Sequence, residues 1–229
     1  MMNLQSPLIP RTFSLATLSM KSPRRTARAL LWAGAFAVSF AALAQSPAAL
    51  LAQPAAPSAS AATVPVALGP ITIANPSFVA DAAGELAGWH KIEHASGNSY
   101  AFTADTRSPL SKPSSLRIHR HGGEAFGLLE QRVAAPSAWQ GHTVRLSGSL
   151  KTAGATGGGG ALVLQARTGS DAILAHDHMD DRRLKGDQGW KKVSVQLKLP
   201  QQTRQLLVGV MLEEGGTLWA DDLVLEVID

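Results

Sequence analysis

The 229-residue chain contains no cysteine. This excludes disulfide bonds, thiolate metal sites, a cysteine nucleophile and a thiol-linked lipid anchor, because each of them requires the thiol. The sequence also lacks the Gly-x-Ser-x-Gly, His-Glu-x-x-His and phosphate-binding signatures of common enzymes. Its paired carboxylates are adjacent in sequence, which is not the opposed arrangement that glycoside hydrolysis needs. We therefore predict that the protein is not an enzyme.

Amphipathic helices are missing from the pattern as well. Beyond residue 70, apolar and polar residues alternate with a period of two in short segments that turn residues separate. The clearest segment ends at Pro200, and its apolar positions are Val193, Val195, Leu197 and Leu199. Similar segments lie at 71–73, 99–104, 115–120, 126–133, 143–151, 161–167, 205–212 and 217–227.

Roughly nine or ten strands of this kind predict an all-β fold, a two-sheet antiparallel β-sandwich of the jelly-roll type. The glycine-rich segment Gly154–Gly160 is interpreted as a loop that joins two of these strands. The four consecutive glycines at its end are not followed by Lys-Ser or Lys-Thr, so they predict a flexible turn and not a phosphate site.

The first 44 residues have the pattern of a cleaved signal peptide. A basic group that includes Arg24, Arg25 and Arg28 precedes an apolar run, and Ala42-Leu43-Ala44 gives the small-x-small cleavage pattern. An uncleaved anchor and a start at Met20 are the alternatives. Residues 45–70 are rich in Ala, Pro and Ser, which predicts a flexible linker. The binding domain is then expected at 71–229, in a periplasmic or secreted protein without a membrane span after cleavage.

Removing the leader changes the charge of the protein. Residues 1–44 hold five basic and no acidic residues, so 16 basic and 17 acidic residues remain and the formal net charge falls from +4 to −1. A nucleic-acid partner requires a net basic surface that displaces counterions. The mature composition therefore argues against nucleic-acid binding.

Short motifs in a fixed order carry a family resemblance. These are Asn-Pro-Ser-Phe at 75–78, Gly-Trp at 88–89, Ser-Ser-Leu-Arg-Ile at 114–118, Gly-Trp at 189–190 and Trp-Ala-Asp-Asp-Leu-Val-Leu at 219–225. Together they resemble the galactose-binding-like jelly rolls, which include many carbohydrate-binding modules. The resemblance covers about 71–229 and implies two antiparallel sheets, with ligands bound on a concave sheet face or at loop tips.

The resemblance also implies a structural calcium ion. Many relatives carry Glu directly after the Asn-Pro-x-Phe motif, where this chain has Val79. Asp81 could replace that ligand, and Asp221 or Asp222 could supply the C-terminal one, because calcium prefers oxygen donors. In the alternative interpretation these carboxylates end a loop and cap backbone amides.

Polar residues on the alternating strands are the main candidates for ligand binding. Arg117 and His119 project from one strand, and Gln131, Gln165 and Arg167 lie on neighbouring candidate strands. Arginine and glutamine offer the donors and acceptors that a hydroxyl-rich or carboxylate-rich ligand needs. If these strands share a sheet, the five side chains line its concave face; otherwise they belong to an ordinary solvated face.

Two further groups complete the candidate site. His176 and His178 alternate within Ala-His-Asp-His-Met-Asp-Asp, so they could face one metal ion, contact a ligand at the rim, or lie in a solvated loop. Trp139, in a polar segment, is the best candidate for an exposed indole. Trp89, Trp190 and Trp219 are expected to pack in the core or at a sheet edge, and so few exposed aromatic faces count against a sugar ligand.

These observations predict an exported, non-catalytic module that binds a carbohydrate or another polar ligand on a sheet face. The alternative is a structural or interaction protein of the cell envelope that uses the same fold to bind a protein partner. Exposed aromatic side chains would favour the first function, and a flat apolar patch would favour the second.

Overall fold

The computed structural model describes residues 68–95 and 97–229. The predicted signal peptide and most of the predicted linker lie outside these residues. Ten strands and one 3-10 turn at Ser137–Trp139 make up the described part. The strands are β1 (Gly69–Ile71), β2 (His90–Glu93), β3 (Tyr100–Asp105), β4 (Ser115–Arg120), β5 (Phe126–Ala134), β6 (Thr143–Arg167), β7 (Ile173–Asp177), β8 (Leu184–Lys198), β9 (Gln205–Glu213) and β10 (Thr217–Val227).

Every strand pairing is antiparallel, and the pairings form two sheets that share β6. In the first sheet the order is β8, the N-terminal part of β6, β10, β4 and β3, with β1 paired to the far end of β10. In the second sheet the order is β2, β5, β9, the C-terminal part of β6 and β7. The predicted all-β jelly roll is therefore confirmed. Within the described residues no helix is long and apolar enough to cross a membrane.

Strand β6 corrects the prediction of two strands and a loop. It runs without interruption for 25 residues, pairs with β10 from Val144 to Ala153, and pairs with β9 from Gly159 to Arg167. The change of sheet falls in the glycine-rich segment, where Gly159 has a φ of +79°. An L side chain is strained there, and a Cβ would also meet the carbonyl oxygen of Leu184. The glycines therefore allow one strand to bend from one sheet into the other.

The core lies between the two sheets, where alternate residues of each strand meet. Leu146 and Leu150 enter it from the first sheet, and Leu162 and Leu164 from the second; all four are fully buried. On β8 the predicted apolar face is confirmed, since Val195 is buried and its apolar neighbours pack against the same cluster. Burying one such aliphatic side chain contributes about 1.5–3 kcal/mol.

The N-terminal motifs close one side of this core. Phe78 is fully buried and packs on Trp89, with ring centroids 5.2 Å apart. The Asn75 side chain binds the backbone of Val79, and the indole N–H of Trp89 donates to the carbonyl oxygen of Asn75 at 3.1 Å. Trp89 thus packs inside the protein, as predicted.

A second, smaller apolar cluster lies on the other face of the second sheet. It contains Leu128, Val163, Leu207 and Met211, with Phe126 packed against it. Each sheet therefore has an inner face toward the core and an outer face on the other side. The two outer faces hold most of the candidate ligand-binding residues.

Candidate ligand-binding faces

Four side chains form a row across the outer face of the first sheet. They are Trp190 on β8, Lys151 on β6, Trp219 on β10 and Arg117 on β4, and we call them the tryptophan row. The strand register sets their order, because Trp219 is the partner of Lys151 on one side and of Arg117 on the other. Their sequence neighbours Leu150, Leu218 and Leu116 point into the core, so the alternation of each strand turns the row outward.

The lysine of this row lies between the two indoles. Lys151 Nζ is 5.0 Å from the ring centroid of Trp190 and 4.3 Å from that of Trp219. On the other side, the guanidinium carbon of Arg117 is 6.0 Å from the Trp219 ring. These are cation–π distances, and all four side chains are half-buried. The row therefore presents aromatic surface and positive charge together.

A hydrogen bond to Asp105 holds the side chain of Trp219 in place. Its indole N–H donates to Asp105 Oδ2 at 2.9 Å. This hydrogen bond lowers the pKa of the buried Asp105 carboxyl, and the backbone and guanidinium of Arg107 lower it further against the opposing effect of burial. Asp105 therefore stays ionised and fixes the orientation of the ring. Next to the row, His119 Nδ1 lies 2.9 Å from Thr217 Oγ1.

A cavity of about 230 Å³ adjoins the row on the same face. Its polar lining comes from the hydroxyls of Ser147 and Ser149, the ammonium of Lys192 and the carboxylate of Asp222. Such groups offer both donors and acceptors of hydrogen bonds. The first sheet thus combines stacking surface with polar groups suited to hydroxyl-rich ligands.

Trp190 and Trp219 both face outward and not into the core, although Trp190 lies on β8 at the edge of the first sheet, which is one of the two predicted positions. Their orientation follows from the alternation itself: Val193 and Val195 face the core, so the even-numbered positions of β8 face outward. Leu218 and Ala220 are fully buried in the same way, which turns Trp219 outward. The period-two alternation alone predicts that both indoles face outward, whereas the family resemblance implied that they pack in the core or at a sheet edge.

On the second sheet, polar side chains form a connected network. Arg167 Nε donates to Gln165 Oε1 at 2.8 Å, and Gln165 Nε2 lies 2.9 Å from His178 Nε2. Because Arg167 engages the amide oxygen, the amide nitrogen must donate to His178, which accepts only as a neutral imidazole. Burial lowers the pKa of His178, and the nearby His176, at 4.8 Å between ring centroids, lowers it further.

Asp171 extends this polar network. It binds Arg167 in an ion pair of 2.9 Å and also accepts a hydrogen bond from Arg132. The pKa of the Asp171 carboxyl is lowered, first by Arg132 and then by Arg167. The network's charges are therefore largely paired with one another, in contrast to those of the tryptophan row.

The predicted common face for five ligand-binding residues is wrong. Arg117 and His119 lie on the first sheet, whereas Gln165 and Arg167 lie on the second, close to His176 and His178. Gln131 faces the core and is buried, where its amide binds both the N–H and the carbonyl oxygen of Ala74. It shares the inner face of β5 with the buried Leu129.

Trp139, the predicted exposed indole, lies in the 3-10 turn. The side chain is half-buried and packs against the main core cluster. Trp190 and Trp219 are half-buried as well, but they lie on the outer face of the first sheet and not in a turn against the core.

The three carboxylates predicted to bind calcium do not come together. Asp81 accepts hydrogen bonds from the backbone N–H groups of Ala83 and Glu85, and Asp221 accepts those of Ser111 and Asp222. The described residues contain no group of three or more His, Asp or Glu side chains that could hold a metal ion. These contacts match the alternative interpretation of capped backbone amides, and calcium binding stays an untested prediction.

No protein-family model matches the chain. A curated protein, an uncharacterised HTH-type transcriptional regulator of Bacillus subtilis, is 28% identical over 107 residues, which is 47% of this chain and 35% of that protein. The chain thus spans about a third of the length of the curated relative that it matches.

Solved structures similar to this chain include glycan-related proteins. The enzymatically active domain of tailspike protein 4 of bacteriophage CBA120 has a TM-score of 0.52 at 10% identity, covering 68% of this chain and 22% of that one. An arabinose-bound α-L-arabinofuranosidase has a TM-score of 0.51 at 20% identity, covering 69% and 26%. A xylan-binding domain of Paenibacillus barcinonensis has a TM-score of 0.46 at 16% identity, covering 64% and 89%. At these identities the likeness concerns the fold alone, and the fold agrees with the predicted jelly roll.

Proposed function

We propose that the protein is an exported carbohydrate-binding module and that the tryptophan row is its binding site. The observation that carries this proposal is the pair of half-buried indoles on the outer face of the first sheet, one on each side of Lys151. Export is supported by the leader pattern of residues 1–44.

Sugar binding follows from the chemistry of the row. One face of a pyranose carries mainly C–H groups, which pack against an indole, while its hydroxyls need donors and acceptors at the edge. Trp219 is held by Asp105, so little conformational entropy is lost when a ring stacks on it. Two indoles on separate strands allow the row to contact more than one sugar unit of a chain.

We further propose that the module binds glycans without cleaving them. Two carboxylates near this face are already engaged: Asp105 accepts from Trp219, and Asp222, which lines the adjoining cavity, accepts from the hydroxyl of Ser111. Glycoside hydrolysis needs one carboxyl group free to donate a proton and a second one opposite to it. Release of reducing ends from any bound polysaccharide would contradict this part of the proposal.

The test is affinity electrophoresis of the purified full-length protein through gels that contain a panel of plant and bacterial polysaccharides. Trp219→Ala should weaken binding at least about tenfold, because a buried tryptophan contact is worth about 2 kcal/mol or more. Trp219→Phe keeps an aromatic face and should retain part of the affinity. Arg167→Ala, on the second sheet, is the matched control and should bind normally.

Two outcomes would contradict the proposal. Loss of binding in Arg167→Ala with normal binding in Trp219→Ala would move the site to the second sheet. A blank over the whole panel, together with retention of one specific envelope protein, would favour the interaction function over glycan binding. Repeating the panel after chelation tests the calcium prediction at the same time.

A further inference from the structure

The cations of the tryptophan row form no ion pair with any carboxylate of the described residues. Elsewhere in the described residues, Arg132, Arg145, Arg167, Arg182 and Arg183 each form an ion pair with Asp or Glu. Among residues 68–95 and 97–229, no carboxylate forms an ion pair with Lys151 or Arg117, the two cations that flank Trp219. The carboxylate nearest to Trp219, that of Asp105, is directed to the indole N–H.

This positive charge is local. The described residues carry 16 basic and 17 acidic residues, a formal net charge of −1, so this part of the chain does not attract anions by its net charge. Lys192, which is exposed, adds a third cation on the same face beside Ser149. Aromatic surface and unpaired positive charge therefore coincide in one place of an otherwise balanced protein.

From this coincidence we propose that the tryptophan row selects acidic glycans, whose sugar units carry a carboxylate or a sulfate group. The inference rests on the proposed function and names its ligand class. A pyranose that stacks on Trp219 places its ring substituents over the neighbouring strands, where Lys151 lies on one side and Arg117 on the other. An ammonium pairs with an anion as a point charge, and a guanidinium can bind both oxygens of a carboxylate.

The two indoles also lower the desolvation cost of binding an anion to Lys151. An ammonium held at 4.3 Å and 5.0 Å from two ring centroids has part of its hydration shell replaced by aromatic carbon. Less water then has to be removed when an anionic group binds, and the ion pair forms in surroundings of lower dielectric constant than bulk water. The row therefore favours an acidic sugar over its neutral counterpart, beyond the stacking that both share.

The experiment compares sugars that differ only in charge. Isothermal titration calorimetry of the full-length protein uses two matched pairs: an oligogalacturonate with its methyl ester, and a sulfated galactan oligosaccharide with its desulfated, neutral form. In at least one pair the acidic member should bind about tenfold more tightly at low salt, because one charge-assisted hydrogen bond is worth about that factor. This preference should shrink as salt is added.

Three variants separate charge from stacking. Lys151→Met and Arg117→Met should each weaken binding of the acidic member about three- to tenfold more than binding of the neutral member. Trp219→Ala should weaken both members of the pair. Lys191→Met removes an exposed lysine beside Trp190 in sequence, at a position paired with Leu150, so it controls for the loss of one positive charge.

The possible failures are distinct. If the acidic members bind no better than the neutral ones while a neutral glycan binds through Trp219, the acidic preference is wrong and the proposed function stands. If no glycan binds at all, both are wrong. If single-stranded poly(dT) binds more tightly than either acidic sugar and depends on Lys151, the ligand class is nucleic acid and the inference is overturned.

Discussion

The outer faces of the two sheets use similar residue types in different ways. On the first sheet, Lys151 and Arg117 lie against indoles and no described carboxylate neutralises them. On the second sheet, Arg167 binds Gln165 and Asp171. Both faces are polar and basic in the sequence. Among these described side chains, however, Arg167 is paired with a carboxylate, whereas Lys151 and Arg117 are not.

This difference distinguishes a structural network on the second sheet from a candidate binding surface on the first. A polar group whose partners are already present in the protein gains little from a ligand, since each new hydrogen bond replaces an existing one. A cation beside an aromatic ring keeps its charge for an incoming group. The pairing state of a side chain, and not its residue type, therefore decides which face is the candidate site.

The largest effect is expected where β6 passes from one sheet to the other. Gly159→Ala places a Cβ at a φ of +79°, against the carbonyl oxygen of Leu184. Backbone strain and the steric conflict together should lower the free energy of unfolding by about 2–4 kcal/mol. Urea denaturation measures this, and both outer faces should lose their geometry in the same transition.

Gly189→Ala on β8 is the matched control. A Cβ at this position has no neighbour within 4 Å, and its φ lies outside the positive range that disfavours L side chains. The free energy of unfolding should therefore change by less than about 0.5 kcal/mol. Equal effects of the two substitutions would show that the bend of β6 does not depend on the conformation of Gly159.

The two glutamines that were predicted to share a ligand-binding face should respond differently to truncation. Gln131→Ala leaves the N–H and the carbonyl oxygen of Ala74 without their partner inside the protein, at a cost of about 2–3 kcal/mol. Gln165→Ala removes one member of the polar network on the second sheet, but Arg167 keeps its ion pair with Asp171. We therefore expect the free energy of unfolding to decrease by only about 1 kcal/mol. Urea denaturation of both variants measures the difference.

Glycan affinity gives the second readout for these variants. Neither residue belongs to the tryptophan row, so the folded fraction of each variant should bind the glycan that the wild-type protein binds. Weakened binding in folded Gln131→Ala would show that the inner-face residue supports the site, contrary to its position in the core. An unfolding free energy lowered more by Gln165→Ala than by Gln131→Ala would contradict the structural comparison.

Most of the fold could be predicted because it depends on local alternation. The segments 115–120 and 217–227 were predicted with the bounds that β4 and β10 have, since one face of each strand is apolar and turn residues flank it. Strand β7 was not predicted as a strand, because its Ile-Leu-Ala-His-Asp sequence has no clear period of two. The continuity of β6 was missed for a similar reason, as glycines usually end a strand.

The site was harder to predict, because sheet membership depends on contacts far apart in the sequence. Arg117 and Gln165 both project outward from alternating strands, and only the pairing of β4 with β10 and of β6 with β9 places them on different sheets. Whether a charge is paired is equally non-local: Arg132 and Asp171 are 39 residues apart. Alternation predicts which side a residue faces, but not which neighbours it meets there.

The smallest effect concerns the pH response of the second sheet. His178 has a pKa lowered from its ordinary value, by burial first and then by His176; Arg183 lowers it as well, whereas Asp177 and Asp180 raise it. The unfolded chain therefore binds a proton at a higher pH than the folded protein does. The contribution of His178 to the free energy of unfolding is fully present above the ordinary histidine pKa, and it declines as the pH falls toward the lowered pKa of the folded protein.

The geometry of Gln165 gives this decline its physical cause. Its amide nitrogen donates to His178 Nε2, and a protonated imidazole has no lone pair with which to accept. Between pH 7.5 and pH 5.5, the urea midpoint of the wild-type protein should thus fall by more than the midpoint of His178→Ala does. This fall should be smaller than the decrease in midpoint that Gly159→Ala causes at either pH. Over the same range Asp105 stays ionised, because its pKa is lowered from an ordinary value that is already acidic, so the bond that holds Trp219 is kept. Identical pH dependence in the wild-type protein and in His178→Ala would show that the His178 imidazole does not accept the hydrogen bond from Gln165. The polar network of the second sheet would then lack the hydrogen bond that joins β6 to the residue after β7.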